Sequence, residues 1–417
     1  MNKVIVIGGG AAGMMAAITA AEQGAAVTLL EPNERLGKKL NITGKGRCNV
    51  TNDCSVEDLL SAIPQNGKFL YSAFSRFNSQ DTMAFFENLK VPLKTERGNR
   101  VFPVSDRSFD ISGALEKRLR QLKVEILRKA AKEVVAEEEK VSAVICTDGS
   151  RLAADACIIA TGGLSYPATG STGDGYRMAQ SHGHTLAEPR GSLVPLVEKG
   201  TWCRKMQGLS LRNVNLTVFE NGKKKFSEFG EMLFTHFGVT GPLVLSASSH
   251  MRYFGKKEYR LEIDLKPALD EAQLDKRLLA DFEKYTNSDF CNALGDLLPQ
   301  KMISVIVERS GIDAHLKVHE ITREQRRELL LLLKHFSIDI HCARPVDEAI
   351  ITSGGIKVGE IQPATMMSKK LFGLYFAGEV IDVDAYTGGF NLQIAWATGR
   401  VAGEAAAHQQ SEEVYYG

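Results

Sequence analysis

Long apolar runs are missing from this chain of 417 residues. No stretch approaches the roughly 20 residues that a bilayer-spanning helix needs, so no membrane span is expected. An excess of one charge is missing too, since 51 Lys and Arg stand against 50 Asp and Glu. That balance gives no reason to expect nucleic acid or an anionic membrane surface as a partner. Seven cysteines (Cys48, Cys54, Cys146, Cys157, Cys203, Cys291 and Cys342) form no CxxC pair, which leaves no zinc ribbon and no thioredoxin-type dithiol. Their odd count and scattered spacing fit a reducing compartment, and the protein is expected in the cytoplasm. His182 and His184 alternate, but no carboxylate or cysteine completes a metal set beside them; they read as structural, and no metal is expected.

What is present is a globular composition, 44% hydrophobic and 24% charged, in a chain long enough for two or three domains. Lys3 ahead of an apolar stretch resembles a signal peptide. The glycines within that stretch and the acidic residue after it argue against that reading.

The run KVIVIG is a short Val/Ile segment, as expected for a strand buried on both faces. It leads into GGGAAG, where Gly8, Gly10 and Gly13 fall in the G-x-G-x-x-G register. A helical stretch from Ala11 to Gln23 stops at Gly24, a good C-cap residue, and AVTLLE then reads as a second buried strand ending in Glu31. The pattern is strand, glycine turn, helix, strand. In that setting the first glycine permits a tight turn, the second lets backbone approach a pyrophosphate, and the third lets helix and strand pack closely. The helix N-terminus, with Ala11 and Ala12, presents free N–H groups to phosphate. Glu31 lies 18 positions after Gly13, near the spacing at which an acid reaches a ribose hydroxyl. A ribose 2′-OH is thereby favoured over a 2′-phosphate, which leaves FAD or NAD.

The rest of the chain separates the two. A dehydrogenase for NAD continues with more helix–strand units; here NERLGKKLNITGKGRCNVTN (33–52) is instead a glycine-rich basic loop with Arg35, Lys38, Lys39 and Arg47. Residues 133–163 begin like hairpin strands, with the turn dipeptide Asp148-Gly149, and close in the buried strand ACIIA before Thr161-Gly162-Gly163. Near the C-terminus a strand GLYFAG precedes Glu379 and Asp382, and Gly388-Gly389 opens an alanine-rich helix from about Asn391. Such a helix N-terminus can stabilise negative charge on a reduced flavin.

A glycine fingerprint, a mid-chain strand ending in ATGG and a late strand ending in AGE resemble the glutathione-reductase-like FAD superfamily. More closely, GKKLNITGKGRCNVTN, RVFPVSDRS (100–108), FTHFGVTGP (234–242), ITSGGI (351–356) and GLYFAGEVIDVDAYTGGFNLQIAWATG are similar to a bacterial flavoprotein family. That family is usually labelled NAD(P)/FAD-dependent oxidoreductase, or aminoacetone oxidase family FAD-binding enzyme. The motifs run in the family's order from Met1 to about Gly403. The resemblance implies FAD held by Gly8, Gly10, Gly13, Glu31, the loop from Thr43 through Gly44, Gly46, Arg47 and Cys48 to Asn49, Gly162, Gly378, Glu379, and Gly389 to Asn391 with Phe390 between. Ala11, Ala12, Arg35, Lys39, Ala131, Thr161, Gly163, Tyr166, Asp382 and Gly388 complete the expected set.

Between Pro189 and about Arg344 the α/β logic stops. SLVPLVEK, LRNVNLTVFENGKKKFSEFGEMLFT and RYFGKKEYRLEIDL read as short alternating strands with turns, including Asn221-Gly222, and predict a small antiparallel sheet or barrel. From Pro267 to Phe336 the pattern is helical, with a capping box at Thr322 and Gln325, and SIDIHC (337–342) reads as a returning strand. The expected class is α/β. A discontinuous Rossmann-like FAD domain (1–190 and 345–417) carries an inserted barrel-like β domain (191–266 and 337–344) and a helical subdomain (267–336). Because ligand sites favour domain interfaces, the flavin ring is expected where the insertion meets the FAD domain.

Several residues admit two readings. Cys48 is either a redox thiol near the flavin or a packing cysteine, and Arg47 either neutralises FAD or joins a surface ion pair. His236, in a glycine-rich turn, is either an acid–base group or a structural loop histidine. Tyr166 and Tyr386 border glycine loops and either meet the flavin, as stacking or proton-donating groups, or only pack. Gly170-Ser-Thr-Gly-Asp-Gly175 resembles a phosphate loop but lacks the lysine that follows one, so it reads as a helix cap made by Asp174. No second G-x-G-x-x-G stands in a strand–helix setting, so NAD(P)H, if used, binds transiently at the flavin face. The leading expectation is an FAD-dependent oxidoreductase, reduced by NAD(P)H or an organic substrate and reoxidised by an alkene, oxygen or a quinone. The alternative is a flavin-binding redox sensor with little turnover. Flavin-dependent tRNA modification is disfavoured by the absence of a basic stretch interleaved with aromatics.

Overall fold

The computed structural model describes residues 1–408. The chain divides into two compact units: Met1–Ser192 with the chain from Val346, and Leu193–Pro345.

The first unit is built on a five-stranded parallel sheet. In chain order its parts are β1 (Lys3–Ile7), α1 (Ala11–Glu22), β2 (Ala26–Leu30), β3 (Glu125–Leu127), β4 (Ala156–Ile159), β5 (Leu374–Phe376) and the helix α2 (Phe390–Ala407). The spatial order is β5-β4-β1-β2-β3, with Val4 opposite both Val27 and Ala156. Residues 4–7 of β1 and all four of β4 are buried, and burial on both faces explains why these strands read as unbroken apolar runs rather than alternating ones.

Helix α2 lies directly on α1. A Cβ on Gly399 would stand 2.4 Å from Ala12 O, and one on Gly403 the same distance from Ala16 O, so these two glycines on one helix face permit backbone contact. Trp396 is fully buried and donates from Nε1 to Val50 O at 2.9 Å. Gln393, also fully buried, accepts from Thr51 Oγ1 and Thr82 Oγ1 and donates to Phe77 O, so its polar atoms cost little inside the core. Three smaller antiparallel sheets complete the unit: a hairpin-based sheet over Ala131–Glu137, Lys140–Cys146 and Arg151–Ala153, a sheet in which Thr51–Asn52 and Leu93–Glu96 flank Arg100–Pro103, and a pair of Leu186–Ser192 with Ile351–Ile356.

The second unit is a closed six-stranded antiparallel barrel. Around it run Leu196–Glu198, Gly238–Thr240, Lys223–Phe234, Ser210–Glu220, Tyr259–Asp264 and Phe336–Ala343, the last pairing back onto the first. The alternation along 210–220 puts Leu216 and Val218 inside, while Asn221-Gly222 turns the hairpin with both residues at positive φ. Helices Glu271–Lys284, Gln300–Ser310 and Arg323–Lys334 share one apolar core with the barrel. The Thr322–Gln325 capping box forms, with bonds of 3.2 Å and 2.9 Å. The class is therefore α/β, Rossmann-like, with a closed barrel of antiparallel strands. Among the described residues no helix is long and apolar enough to cross a membrane.

Candidate flavin site

The site begins where β1 ends. Gly8 has φ +104°, and a Cβ there would lie 2.5 Å from Ala160 O; a Cβ on Gly13 would lie 1.8 Å from Gly8 O. Only glycine lets the turn close on the end of β4 and lets α1 start so near it. Gly10 is the N-cap of α1 and no side chain caps the helix, so its first N–H groups are left for a ligand.

This helix end opens on a cleft of about 200 Å³ formed within the first unit. Of the expected binding residues, Gly8, Gly10, Ala11, Ala12, Glu31, Lys39, Thr43, Ala131, Thr161, Gly162, Gly378, Glu379 and Asn391 line it. Glu31 is held at the end of β2 by three donors: Gly9 N to Oε2 at 2.8 Å, and Asn33 N and Nδ2 to Oε1 at 2.9 and 2.7 Å. A carboxylate oxygen accepts more than one hydrogen bond, so Glu31 keeps capacity for a hydroxyl.

Across the cleft, Lys39 Nζ donates to Glu379 Oε2 at 2.6 Å and to Ser165 Oγ at 2.7 Å. Glu379 Oε1 accepts from Ser165 Oγ at 3.0 Å and from Thr352 N at 2.8 Å. The basic loop and the AGE strand end are thus joined by one hydrogen-bonded network around a cation. At the start of α2 no side chain caps the N-terminus at Gly389. Asn391 folds the preceding loop, its Oδ1 accepting from Ala385 N at 2.9 Å and its Nδ2 donating to Ala385 O at 2.8 Å.

Other expected residues lie off the cleft lining. Gly13 packs behind Gly8, and Gly163 packs against Thr352. Arg35, Gly44, Gly46, Asn49, Gly388, Gly389 and Phe390 are outside the lining, and so is Asp382, which accepts from Asn66. Arg47 donates to Glu96 at 2.5 Å and to Asp106 at 2.8 Å, with its guanidinium 4.0 Å from the Phe102 ring centre. Those partners take up its charge outside the cleft.

Cys48 is fully buried at φ +60°, and burial pushes its thiol up to about 12. A buried neutral thiol is a poor nucleophile and a poor charge-transfer donor. Tyr166 precedes a short turn and accepts at its carbonyl from Thr169 N; the half-buried Tyr386 donates its N–H to Ala62 O. His236 belongs to the second unit, exposed in the turn where Thr235 N donates to Gly238 O, with its ring edge-on to Phe237 at 5.0 Å.

His182 bonds Val134 O, and His184 sits between Glu360 at 3.1 Å and Ser368 at 2.8 Å, out of solvent. Both are structural, and among the described residues no group of metal ligands forms. The helix Asp174–Ser181 is capped by Gly173 and not by Asp174, whose carboxylate accepts instead from Thr172 Oγ1 at 2.7 Å. Thr169, Gly170, Ser171 and Asp174 nevertheless line the cleft, as do Lys38 and Lys129, and sequence reasoning missed all of them as binding residues. The loop's glycine spacing was the available signal.

These residues fit FAD. The glycine turn and open helix end suit a pyrophosphate, Glu31 suits a ribose, and Thr161 Oγ1 at the cleft is buried without a hydrogen-bond partner among the described residues. Fold and site together define a dinucleotide-binding flavoprotein.

The family described as HI0933-like protein Rossmann domain matches residues 2–405. The chain belongs to that family and is an FAD-binding oxidoreductase. It is 33% identical over 413 residues to a 3-dehydro-bile acid delta(4,6)-reductase of Clostridium scindens, covering 98% of this chain and 100% of the relative. It is 29% identical over 403 residues to a ribosomal RNA dihydrouridine synthase of Haemophilus influenzae, covering 95% and 96%. The crystal structure of 3-ketosteroid delta1-dehydrogenase from Sterolibacterium denitrificans, in complex with 1,4-androstadiene-3,17-dione, shares the fold. Its TM-score is 0.52 at 13% identity, over 98% of this chain and 100% of that one.

Proposed function

We propose that this protein is an FAD-dependent reductase that uses NAD(P)H to saturate a carbon–carbon double bond conjugated to a carbonyl. The observation that carries the reading is the chemistry common to the two relatives' names. The 4,6 double bonds of a 3-oxo bile acid are conjugated to its ketone. Dihydrouridine is uridine whose ring double bond, conjugated to a carbonyl, has been reduced. The stoichiometry is NAD(P)H, one proton and the conjugated alkene going to NAD(P)⁺ and the saturated carbonyl compound. Hydride adds at the β-carbon, the electron pair moves to the carbonyl oxygen, and the α-carbon takes the proton.

FAD, when bound, supplies the two-electron relay between donor and acceptor. The chain supplies the rest. The Gly8–Gly13 turn and the N-terminus of α1 would hold the pyrophosphate, Glu31 the ribose, and Lys39, held by Glu379 and Ser165, would offer its remaining N–H to the ligand in the cleft. A single glycine fingerprint on a parallel sheet favours a nicotinamide that visits the site rather than occupying a domain of its own. We assign proton donation to the half-buried Tyr386, whose carbonyl accepts at 3.3 Å from Nδ2 of the cleft-lining Asn391; Cys48 is sealed in the core and His236 is solvent-exposed. Tyr386→Phe is expected to slow acceptor turnover at least tenfold while leaving flavin reduction by the nucleotide unchanged. The seven free cysteines support a cytoplasmic setting.

The test is a visible spectrum of the purified protein, followed anaerobically by NADH, NADPH and then a small cyclic enone. Flavin bands bleached by one nucleotide and restored by the enone, with saturated ketone formed, are the expected result. Bands that only oxygen restores would end the reductase reading. A single slow reduction with no turnover would favour a redox sensor.

A further inference from the structure

The chain from Tyr166 to Thr172 crosses one wall of the flavin cleft. Pro167, Ala168, Gly170 and Thr172 are exposed, while Thr169, Gly170 and Ser171 line the cleft. Just before the segment the chain is anchored, since Leu164 N and Ser165 N donate to Thr352 Oγ1 at 2.7 and 3.1 Å. Just after it comes the helix Asp174–Ser181. Backbone at positive φ bounds the segment, +53° at Tyr166 and +81° at Gly173; the first is a conformation that a tyrosine rarely adopts. Within it, Thr169 N and Thr169 Oγ1 both donate to Tyr166 O, at 2.8 and 2.7 Å, and Gly170 N donates to Pro167 O at 3.0 Å. The segment is a preformed turn between two backbone pivots, able to move as one piece.

Few bonds hold that turn down. Among the described residues, two side-chain donors tie it to chain outside itself and the helix that follows. Lys38 Nζ donates to Ala168 O at 2.7 Å, and Asn33 Nδ2 donates to Thr169 O at 3.1 Å. Thr172 Oγ1 bonds Asp174, the first residue of that helix. Asn33 Nδ2 also donates to Glu31 Oε1 at 2.7 Å, so the acid suited to a ribose and the turn share one amide. Gly170 makes room for this, because a Cβ there would stand 2.8 Å from Asn33 Nδ2. Glu31, Pro32 and Lys38 line the cleft from one side and Thr169 to Ser171 from the other, so the two bonds bridge its edge.

We propose that Tyr166–Thr172 is a hinged strap that swings open for FAD to enter or leave, with Lys38 and Asn33 as its latch. The strap closes at the ribose end of the cleft, where Asn33 is already bound to Glu31. Lys38 and Asn33 are positioning residues: they govern passage of the cofactor and take no part in hydride or proton transfer.

The test is flavin exchange in the full chain, followed by flavin fluorescence. Release is timed after large dilution of the FAD-loaded protein, and uptake after mixing FAD with the apo protein. A latch holds the strap shut with and without cofactor, so breaking it speeds passage in both directions. Lys38→Met is expected to raise the release and uptake rates together, each about fivefold, as for one lost hydrogen bond, with the dissociation constant changed less than either rate. Gly170→Ala, whose methyl displaces Asn33 Nδ2 from Thr169 O, is expected to do the same without removing a charge. Melting temperatures of the apo variants report that each is folded. Faster release with unchanged or slower uptake makes Lys38 a direct contact of FAD and overturns the strap. Wild-type rates in both variants overturn it as well.

Discussion

Lys39 Nζ and Glu379 Oε2 lie 2.6 Å apart, joining residues that the chain separates by 340 positions. Their side chains are 22% and 13% exposed, so the pair is shielded enough to matter and still borders the cleft. Lys39→Met would leave the Glu379 carboxylate with only the neutral donors Ser165 Oγ and Thr352 N. The expected cost is roughly 1–3 kcal/mol in urea unfolding of the apo protein, with FAD affinity reduced at least tenfold. Lys39→Arg is expected to rescue charge but not geometry, because a planar fork does not reproduce an ammonium between Ser165 and Glu379. Wild-type stability and affinity in Lys39→Met would remove the network from the site.

The same pair shows what was legible beforehand and what was not. The unit from Lys3 to Glu31 could be read off because strand, turn and helix are local, and Gly8 and Gly13 answer steric demands made by the neighbouring strand end and by the turn itself. The contact between Lys39 and Glu379 could not, because it depends on a crossover that brings β5 beside β4. Arg47 stayed open between two readings for a related reason: a cation in a glycine-rich loop says nothing of which way its side chain points, and here Glu96 and Asp106 hold it. Thr169 to Ser171 escaped because the motif rule asked for a lysine that this loop does not have.

Burial of Cys48 sets a second expectation. With its thiol raised to about 12, almost no thiolate exists at neutral pH, so a thiol reagent should fail to label Cys48 in the folded protein. Cys48→Ala should reduce flavin at a rate within about twofold of wild type, with no long-wavelength charge-transfer band lost. Rapid labelling of Cys48 at pH 7, or disappearance of such a band in the variant, would contradict this placement.

Acid should destabilise the protein before its carboxylates titrate. Burial first, and then the Arg252 charge, lowers the pKa of His250 to about 4, and burial likewise lowers that of His184. Unfolded histidine titrates near 6.5, so below that pH the unfolded chain binds protons that the folded chain refuses. Stability is complete above about 6.5 and is lost as pH falls toward the folded values. For His250, partly exposed and stacked on Phe226 at 4.6 Å, the loss by pH 4.5 is roughly 1–2 kcal/mol after solvent screening. Urea midpoints between pH 7.5 and 4.5 check the direction. His250→Phe, which keeps a stacking ring and removes the titration, should flatten this limb; an unchanged limb would assign the loss elsewhere.

Gly10 and Gly13 separate what the fold requires from what the ligand requires. A Cβ on Gly13 would stand 1.8 Å from Gly8 O, so Gly13→Ala must push α1 off the strand end. Unfolding is expected to be easier by several kcal/mol, with flavin binding lost alongside. A Cβ on Gly10 would meet nothing within 4 Å, and its φ of −79° suits any residue. Nothing in the protein therefore asks for glycine at position 10. If the pyrophosphate of FAD approaches the helix end there, Gly10→Ala should leave apo stability within about 0.5 kcal/mol, or raise it slightly by restricting the unfolded chain. Affinity for FAD should still fall at least tenfold, because the new methyl occupies the ligand's approach. Thermal melts without FAD, paired with a flavin titration, give both quantities for each variant. Equal FAD affinity in Gly10→Ala and wild type would move the pyrophosphate away from the N-terminus of α1.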